Sequence, residues 1–541
     1  MAGFIETIIN RYRGGRDRLF ILHGNTNDLF PFSPGETQEL LSLPDFLYRS
    51  LSGAGTERIW FHYSLGYDLR SIGDEKTRGF ERLRQLVKDG ATQIENAGVP
   101  INFFRLLDGV CVRREKSRES EGTLVPLCVI VTDAHLVIPE AQTVFMRPDD
   151  RELLVLLKRF ASEPRYDATD MLLVLVTDAL SGIHRELREC AVTIEIPRPN
   201  EQAIGAHLEQ AISGKQVVEP AELPPMKSLA VGLTVRQVQN VVAEHIATKT
   251  KLTAVILAAR RRELIGRDYG EFLEFFDPTW TLNDVGGSRE AVSELKEIAE
   301  AFKRGDRDVP SGIILVGQNG IGKTFIVKAF LGSAGISGVI LKSFQDSPLG
   351  SSERNWEKIE TAVRSAGQIA VFVDEADAQM GQRSGSNVHE VSKKIFSAQM
   401  QLMGNPQYRG KILWILATCR PDKLAPDVKR PGRCERVIPL FPLVSNEDVV
   451  HILGVQVNLL TQKDGYKFAP DLGNLDVALD NTFLKAFVGK TGAQVERMLR
   501  RARRLAQGDI ITRLHMEKVI ASGQELDAEP MAYELQRLLG M

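Results

Sequence analysis

The chain has 541 residues, with 68 Lys plus Arg against 70 Asp plus Glu, so its formal net charge is −2. This length predicts about three or four structural units, and the balanced charge argues against bulk electrostatic attraction to nucleic acid or membranes. The five cysteines have no CxxC spacing, so we expect reduced thiols. No signal peptide is visible at the start of the chain and no run approaches the ~20 apolar residues that span a bilayer. We therefore expect a cytoplasmic protein that does not bind membranes.

The first half of the chain alternates strand-like and helix-like segments. Apolar runs typical of buried strands occupy residues 18–22, 127–131 and 171–176, and residues 151–158 have a helical pattern. Strands that alternate with helices predict a parallel α/β sheet. The charged segment 113–122 lacks an apolar period, which predicts a loop or a hairpin tip.

Two features of this half argue against nucleotide chemistry in it. The turn after the first strand, Gly24-Asn25, has no lysine and no second glycine, so it cannot be a phosphate-binding loop. Asp133 is followed by Ala134, so we expect the acid that would polarise water to be missing.

A phosphate-binding loop is predicted in the second half, directly after the apolar run 313–316. Glycines let the backbone wrap a phosphate closely, and the loop N–H groups and helix N-terminus face the anion. In this pattern the lysine reaches the β- and γ-phosphates, and the hydroxyl that follows it binds Mg²⁺. The predicted ATP-binding residues are Gly317, Gln318, Asn319, Gly320, Ile321, Gly322, Lys323, Thr324 and Phe325.

A pair of acids after a second buried strand predicts hydrolysis. The run 370–373 ends in Asp374 and Glu375. With Thr324, Asp374 is predicted to hold Mg²⁺, either directly or through a water molecule, and Glu375 is the predicted residue that polarises the attacking water. Positioning and charge stabilisation provide most of the catalysis in phosphoryl transfer, so this pair is the minimum that the reaction needs.

With these motifs and the run Arg430-Pro-Gly-Arg433, residues 276–505 resemble one module of the AAA-family (AAA+) ATPases. The resemblance places Asp284, Val285 and Gly286 beside the adenine, and Gly492 and Ala493 at the second sensor. It also places Arg430 and Arg433 at the two arginine-finger positions. In the family these arginines reach the γ-phosphate held by the neighbouring subunit, which implies a homo-oligomeric ring, usually of six chains.

The chain departs from the family pattern at two positions. Cys419 stands at the first sensor, where the family usually has asparagine, and a thiol is a weak hydrogen-bond donor. Either the attacking water is positioned less well than in the family, or Thr418 takes the place of the sensor asparagine. Pro348 stands where the first pore loop usually has an aromatic residue. Proline grips a threaded peptide less well, although Leu349 could add an apolar contact.

An internal repeat connects the two halves. Residues 231–242 and 488–499 share the pattern Val-Gly-x-Thr-x-x-Gln-Val, and a repeat at domain spacing indicates duplicated modules. We interpret the first half as a degenerate AAA-like α/β module; the alternative is an unrelated α/β domain with a chance match. The layout resembles a poorly characterised group of bacterial, cyanobacterial and plastid-encoded AAA proteins. The expected boundaries are 1–200 for the degenerate domain, 201–265 for its lid, 266–282 for a linker, 283–440 for the large ATPase domain, 441–525 for the small lid domain and 526–541 for the tail.

These features predict a Mg²⁺- and ATP-dependent ring ATPase that remodels a protein substrate or complex. One alternative is an assembly scaffold with slow turnover, which Cys419 and Pro348 favour over a fast unfoldase. The other is a nucleic-acid-dependent motor, against which the near-neutral charge argues.

Overall fold

The chain divides into two compact units in the computed structural model. The first contains Met1–Ile265 and Pro348–Ser365, and the second contains Gly266–Ser347 and Ala366–Met541. The structure describes residues 3–14, 17–33, 38–52, 58–65, 68–72, 99–121, 126–141, 143–164, 166, 170–215, 217–269, 273–276, 280–342, 351–380, 390–473 and 481–522. Pro348 and Leu349, which bear on pore function, lie outside these residues, as does the tail from 523 onward.

The first unit contains eight described strands. They are β1 (Leu19–Gly24), β2 (Phe30–Phe32), β3 (Glu39–Leu41), β4 (Ile59–Ser64), β5 (Asp68–Ser71), β6 (Leu127–Val131), β7 (Met171–Val176) and β8 (Val192–Ile196). Its first six described α-helices are α1 (Gly3–Arg13), α2 (Leu43–Ser52), α3 (Pro100–Glu121), α4 (Ala134–Val137), α5 (Pro148–Ser162) and α6 (Arg185–Cys190).

The main sheet of this unit has the order β5-β4-β6-β7-β1-β8, and only β5 is antiparallel to its neighbour. Alternate residues of its central strands enter two separate apolar clusters, one on each face. Helices α3 and α5 contribute to one cluster, and α1 and α2 to the other. Burial on both faces explains why the strands are continuous apolar runs. The parallel α/β sheet predicted for this half is confirmed.

A helical lid follows the sheet of the first unit. It consists of α7 (Glu201–Ile212), α8 (Leu223–Leu229), α9 (Val235–Ala247) and α10 (Ala254–Tyr269), and these helices enclose their own apolar cluster. Thr234 caps α9 by accepting a hydrogen bond from the Gln237 N–H, and the Gln237 side chain accepts one from Thr234 N. This reciprocal arrangement is a capping box, which fixes where the helix begins.

The second unit contains six described strands. They are β9 (Leu273–Phe276), β10 (Gly312–Val316), β11 (Ser337–Leu341), β12 (Ile369–Val373), β13 (Ile412–Thr418) and β14 (Cys434–Pro439). The α-helices between and after these strands are α11 (Arg289–Lys303), α12 (Lys323–Ala334), α13 (Ser351–Ser365), α14 (Ala376–Gln379) and α15 (Glu390–Met403).

Helix α13 belongs to the first compact unit, although it follows β11 in the chain. Two of its residues contact that unit: Glu357 Oε2 accepts a hydrogen bond from Ser181 N at 3.1 Å, and Lys358 pairs with Asp178 at 3.0 Å.

The second sheet repeats the order of the first. Its order is β14-β10-β13-β12-β11-β9, and only β9 is antiparallel to its neighbour. In both units the five parallel strands, numbered along the chain, follow the order 5-1-4-3-2 across the sheet. An antiparallel strand lies at the same edge in each. Equal strand order in two sheets of one chain supports duplicated modules over an unrelated first domain.

The lid of the second unit carries the second copy of the repeat. It contains α16 (Asn446–Asp464), α17 (Pro470–Gly473), α18 (Asn481–Lys485), α19 (Gly492–Leu505) and α20 (Arg513–Ala521) around one apolar cluster. Thr491 and Gln494 form a capping box at the start of α19, as Thr234 and Gln237 do at α9. The shared Thr-x-x-Gln is therefore a helix start that both lids use.

The loop predicted for the charged segment of the first half is wrong. The segment expected to be a loop, 113–122, is helical as far as Glu121, because it continues α3. The helix takes its burial from apolar residues of its first half, such as Phe103, Phe104 and Val110. Among the described residues, no helix is long and apolar enough to cross a membrane.

Candidate active site

The glycine-rich loop joins β10 to α12 in the second unit. Gly320 and Gly322 have φ angles of 81° and 100°, in the left-handed region that glycine adopts without steric cost. A Cβ atom on Gly317 would lie 2.9 Å from the carbonyl oxygen of Leu440, so the loop packs against the residue that follows the neighbouring strand β14. The helix begins at Lys323, directly after Gly322. This is the strand, loop and helix arrangement that a phosphate-binding loop requires.

Lys323 turns back over its own loop. Its Nζ donates to the carbonyl oxygens of Gly317 at 2.6 Å and Gln318 at 3.0 Å. The ammonium group therefore lies within the loop rather than in solvent. Carbonyl oxygens hold a cation less strongly than phosphate oxygens do, so a bound phosphate can take over these contacts.

Two side chains that the sequence predicts as Mg²⁺ ligands lie together. Thr324 Oγ1 donates to Asp374 Oδ2 at 3.1 Å, and Asp374 Oδ1 accepts from Glu375 N at 3.0 Å. A hydroxyl and a carboxylate are hard oxygen donors, and Mg²⁺ prefers a site with one or two carboxylates plus substrate phosphates. The residues present therefore fit Mg²⁺.

Glu375 lies at the end of β12 in a strained conformation. Its φ and ψ are 47° and 48°, so a non-glycine residue occupies the left-handed region. It precedes α14, its side chain is exposed, and it lines a cavity of about 460 Å³. Asn319, Lys323, Thr324, Asp374 and Cys419 line the same cavity.

Thr418 is tied to the end of this acidic segment. Its fully buried hydroxyl donates to Asp377 Oδ1 at 2.6 Å and accepts from Arg420 N at 2.9 Å. Because these two bonds engage the hydroxyl, the geometry disfavours the alternative in which Thr418 substitutes at the first sensor. Cys419 lines the cavity beside it. Asp377 was not singled out from the sequence, although it is the third acid of the segment after β12.

A second cavity, of about 370 Å³, adjoins the glycine-rich loop. Asp284, Val285 and Gly286 line it, together with Ile321 and Gly492. Gly286 permits a close approach, since a Cβ atom there would lie 2.7 Å from the Ile452 Cα. The two cavities share four lining residues: Gly320, Gly322, Phe325 and Ala493.

This cavity includes a residue that sequence reasoning missed. Trp280 lies against Phe325 with ring centroids 5.8 Å apart and lines the cavity. An aromatic residue just before Asp284 was the available signal. The combined space has acidic and cationic groups at one end. At the other end, aromatic and aliphatic side chains lie among polar groups such as Glu496 and Arg500, and this mixture suits a nucleoside triphosphate.

The two arginines differ in their surroundings. Arg430 is 67% exposed and pairs with Asp427 at 3.0 Å. Arg433 is 21% exposed and donates to the Asp427 carbonyl oxygen at 2.6 Å. Neither is among the residues that line the two cavities of the second unit.

The first unit keeps part of this constellation. Its β6 and β7 pair Val131 with Leu175, as β12 and β13 pair Val373 with Leu416. This register places Asp133 at the position of Glu375, not of Asp374, and Asp133 has the same left-handed backbone, with φ 52°. The expectation that no acid stands at this position in the first unit is therefore wrong.

In the described part of the first unit, Thr132 occupies the position of Asp374, the predicted metal ligand, so no acid stands at that position. The same register matches Thr177 with Thr418 and His135 with Asp377. Thr177 Oγ1 lies 3.3 Å from His135 Nδ1, which repeats the bridge between Thr418 and Asp377.

Two family models match the chain. "AAA+ chaperone, N-terminal Rossmann-like domain" covers residues 1–197, and "ATPase family associated with various cellular activities (AAA)" covers residues 313–441. The first range contains β1–β8, and the second contains β11–β14 and all of β10 except Gly312. The two sheets therefore correspond to two different family models.

Curated relatives match at modest identity. ATP-dependent zinc metalloprotease FtsH 3 of Sphaerobacter thermophilus is 30% identical over 49% of this chain and 54% of the relative. ATP-dependent zinc metalloprotease FtsH of Thermus thermophilus is 33% identical over 42% of this chain and 36% of the relative. The ATPase family gene 2 protein of Saccharomyces cerevisiae is 31% identical over 32% of this chain and 23% of the relative. The chain thus spans about half, or less, of the length of these relatives.

Proposed function

Since the chain is an AAA+ ATPase with an N-terminal Rossmann-like module, we propose that its second unit hydrolyses ATP with Mg²⁺ in order to remodel a protein substrate or complex. The observation that carries this proposal is the meeting of Lys323, Thr324, Asp374 and Glu375 around one cavity. It brings together a cationic phosphate ligand, two metal ligands and an acid for water.

Each residue has one task in the proposed reaction. The loop N–H groups and Lys323 bind the β- and γ-phosphates. Thr324 and Asp374 hold Mg²⁺, which when bound offsets the negative charge on the phosphate oxygens. Glu375 accepts a hydrogen bond from the attacking water and orients it toward the γ-phosphate. Cys419, at the cavity wall, offers this water only a weak donor.

The arginines support a ring, which we propose to contain six copies of the chain. Arg430 is exposed and lies outside the nucleotide cavities of its own unit. An arginine in this position can stabilise transition-state charge only at the site of a neighbouring copy. The active site is then complete only in the assembled oligomer.

A protein is the proposed substrate class because relatives that match about half of this chain are named as ATP-dependent proteases. Cys419 favours one further candidate, an assembly scaffold in which ATP sets the oligomeric state and turnover is slow. The two functions differ in their response to substrate: a remodelling ATPase turns over faster when an unfolded protein is present.

The test uses the purified full-length chain and two site variants. Lys323→Ala should lose ATP binding in calorimetry, because it removes the charge that holds the phosphates. Glu375→Gln should bind ATP and lose turnover, because the metal site remains while water activation falls. Lys303→Ala and Glu300→Gln, at exposed positions of α11 in the same unit, are the matched controls.

Two results would contradict the assignment of the site: unchanged ATP affinity in Lys323→Ala, or substantial turnover in Glu375→Gln. The wild-type rate is then measured with and without a reduced, carboxymethylated protein that cannot fold. Stimulation supports remodelling, and a rate that does not respond favours the scaffold.

A further inference from the structure

A buried carboxylate occupies the turn that follows β1 in the first unit. Asp28 is 2% exposed, and its two oxygens accept four hydrogen bonds. Oδ1 accepts from Leu29 N at 2.8 Å and Arg236 N at 2.8 Å. Oδ2 accepts from Asn25 Nδ2 at 2.8 Å and Val235 N at 3.1 Å. Charge-assisted bonds of this kind are about twice as strong as neutral ones.

Two of these donors are the first backbone N–H groups of the lid helix α9. They lie more than 200 residues along the chain from Asp28. The next N–H group, that of Gln237, donates to the Thr234 side chain, and Arg236 Nε donates to the Asn27 carbonyl oxygen at 3.1 Å. A carboxylate at a helix N-terminus also interacts favourably with the helix dipole. The turn after the first strand therefore holds the lid to the sheet by hydrogen bonds from backbone N–H groups to a carboxylate.

The second unit has an open cavity at the equivalent place. There the turn after the first parallel strand is the phosphate-binding loop, and Gly492 and Ala493 at the start of α19 line the nucleotide cavities. The backbone contact from this helix start to the loop is a hydrogen bond of 3.4 Å, from Ala493 N to Gly320 O. An anion bound in these cavities would face the loop and the helix start together.

The space left in the first unit is small. A cavity of about 120 Å³ lies beside Asp28, lined among others by Asp133, Asp178 and Arg236, and no lysine lines it. Ligand pockets for small molecules usually have volumes of about 300–1,000 Å³. The carboxylate thus occupies the helix start, and the remaining volume is too small for a nucleoside triphosphate.

We propose that Asp28 is a built-in substitute for the phosphates of a nucleotide. It holds the lid of the first unit closed at all times, whereas the lid of the second unit responds to ATP. The first unit then remains in one conformation through the ATPase cycle. The role of Asp28 is argued from contacts within the first unit, so it does not depend on ATP hydrolysis in the second unit.

Hydrogen exchange of the full-length chain without nucleotide tests the role of Asp28. In Asp28→Asn the side-chain NH₂ group faces backbone donors, so the amides of 235–247 should exchange at least about tenfold faster than in the wild type. The amides of β6 and β7 should stay within about twofold of the wild type. Asp45→Asn is the matched control, because Asp45 is an exposed acid at the start of α2 in the same unit; it should leave 235–247 unchanged.

A second arm uses the wild-type chain with a non-hydrolysable ATP analogue. The proposal expects unchanged exchange in 235–247 and slower exchange in 492–505. Two results with Asp28→Asn would overturn the proposal: the amides of 235–247 exchange at the wild-type rate, or the amides of β6 and β7 are accelerated as much as those of 235–247. With the wild-type chain, slower exchange of 235–247 in the presence of the analogue would also overturn it. If the analogue protects neither helix, nucleotide binding in the second unit is contradicted, and the nucleotide-free arm still decides the role of Asp28.

Discussion

Replacing the two arginines separately should distinguish a residue that acts across subunits from one that holds its own loop. Arg430 is 67% exposed, and its contact is an ion pair with Asp427 at the surface. Arg433 is 21% exposed and donates to the Asp427 carbonyl oxygen. The turn that carries both arginines therefore relies on Arg433 for its conformation and leaves Arg430 accessible to a neighbouring copy.

The expected magnitudes follow from these surroundings. Loss of a surface ion pair changes the free energy of unfolding by at most about 1 kcal/mol, so Arg430→Ala should melt close to the wild type. Loss of a hydrogen bond from a charged group costs about 1.5–3 kcal/mol, so Arg433→Ala should be measurably less stable. If Arg430 is the finger, its removal lowers kcat by about 10³–10⁵ and leaves ATP affinity nearly unchanged.

The assay mixes Arg430→Ala with Lys323→Ala. In a ring assembled at random from equal amounts, about one interface in four combines an intact loop with an intact arginine. The mixture should recover about a quarter of wild-type activity, and wild-type specific activity should rise with protein concentration. A mixture as inactive as its components, with wild-type activity independent of concentration down to a proven monomer, would refute action between subunits.

Three further outcomes are expected. Calorimetry should give one ATP per chain, because the first unit lacks the loop lysine and the metal-ligating acid; two ATP per chain would contradict this. Thr418→Val should lower the free energy of unfolding by about 1–3 kcal/mol and reduce kcat more than it changes KM, because Asp377 and Arg420 N lose their partner; Thr418→Ser should restore both values. Burial lowers the pKa of His62 below its usual value, as it does for His23 and His207. Below about pH 6.5 the unfolded chain therefore binds protons that the folded chain does not, and urea unfolding should show less stability at pH 5.5 than at pH 7.5, by a smaller margin in His62→Gln.

The sequence predicted the elements whose signals are local. The glycine-rich loop, the acids after β12 and the shared Thr-x-x-Gln are each contained in a few residues, and each has one backbone geometry that uses them. The buried strands were predictable for the same reason, since burial on both faces demands an uninterrupted apolar run. Their functional roles remain predictions that the experiments above test.

The features that depend on distant parts of the chain were not predictable. The last turns of α3 are charged, and their helical state follows from the buried turns that precede them. In the sequence, Ala134 after Asp133 indicates that the second acid of the pair is missing. The register of β6 and β7 instead places Asp133 itself at the position of that second acid. The contact of Asp28 with α9 joins segments that no local pattern relates.

The two units of one chain act as an internal control for which features indicate catalysis. The left-handed backbone occurs both at Glu375 and at Asp133, although the first unit lacks the loop lysine. In both units a buried threonine also forms a hydrogen bond with the second residue of the short helix, Thr418 with Asp377 and Thr177 with His135. These two features therefore belong to the junction between strand and helix in this fold, and backbone strain at Glu375 is not by itself evidence of chemistry. Among the residues that the structure describes, the loop with Lys323 and the contact of Thr324 with Asp374 occur in the second unit and have no counterpart in the first. Phosphoryl transfer requires groups of this kind.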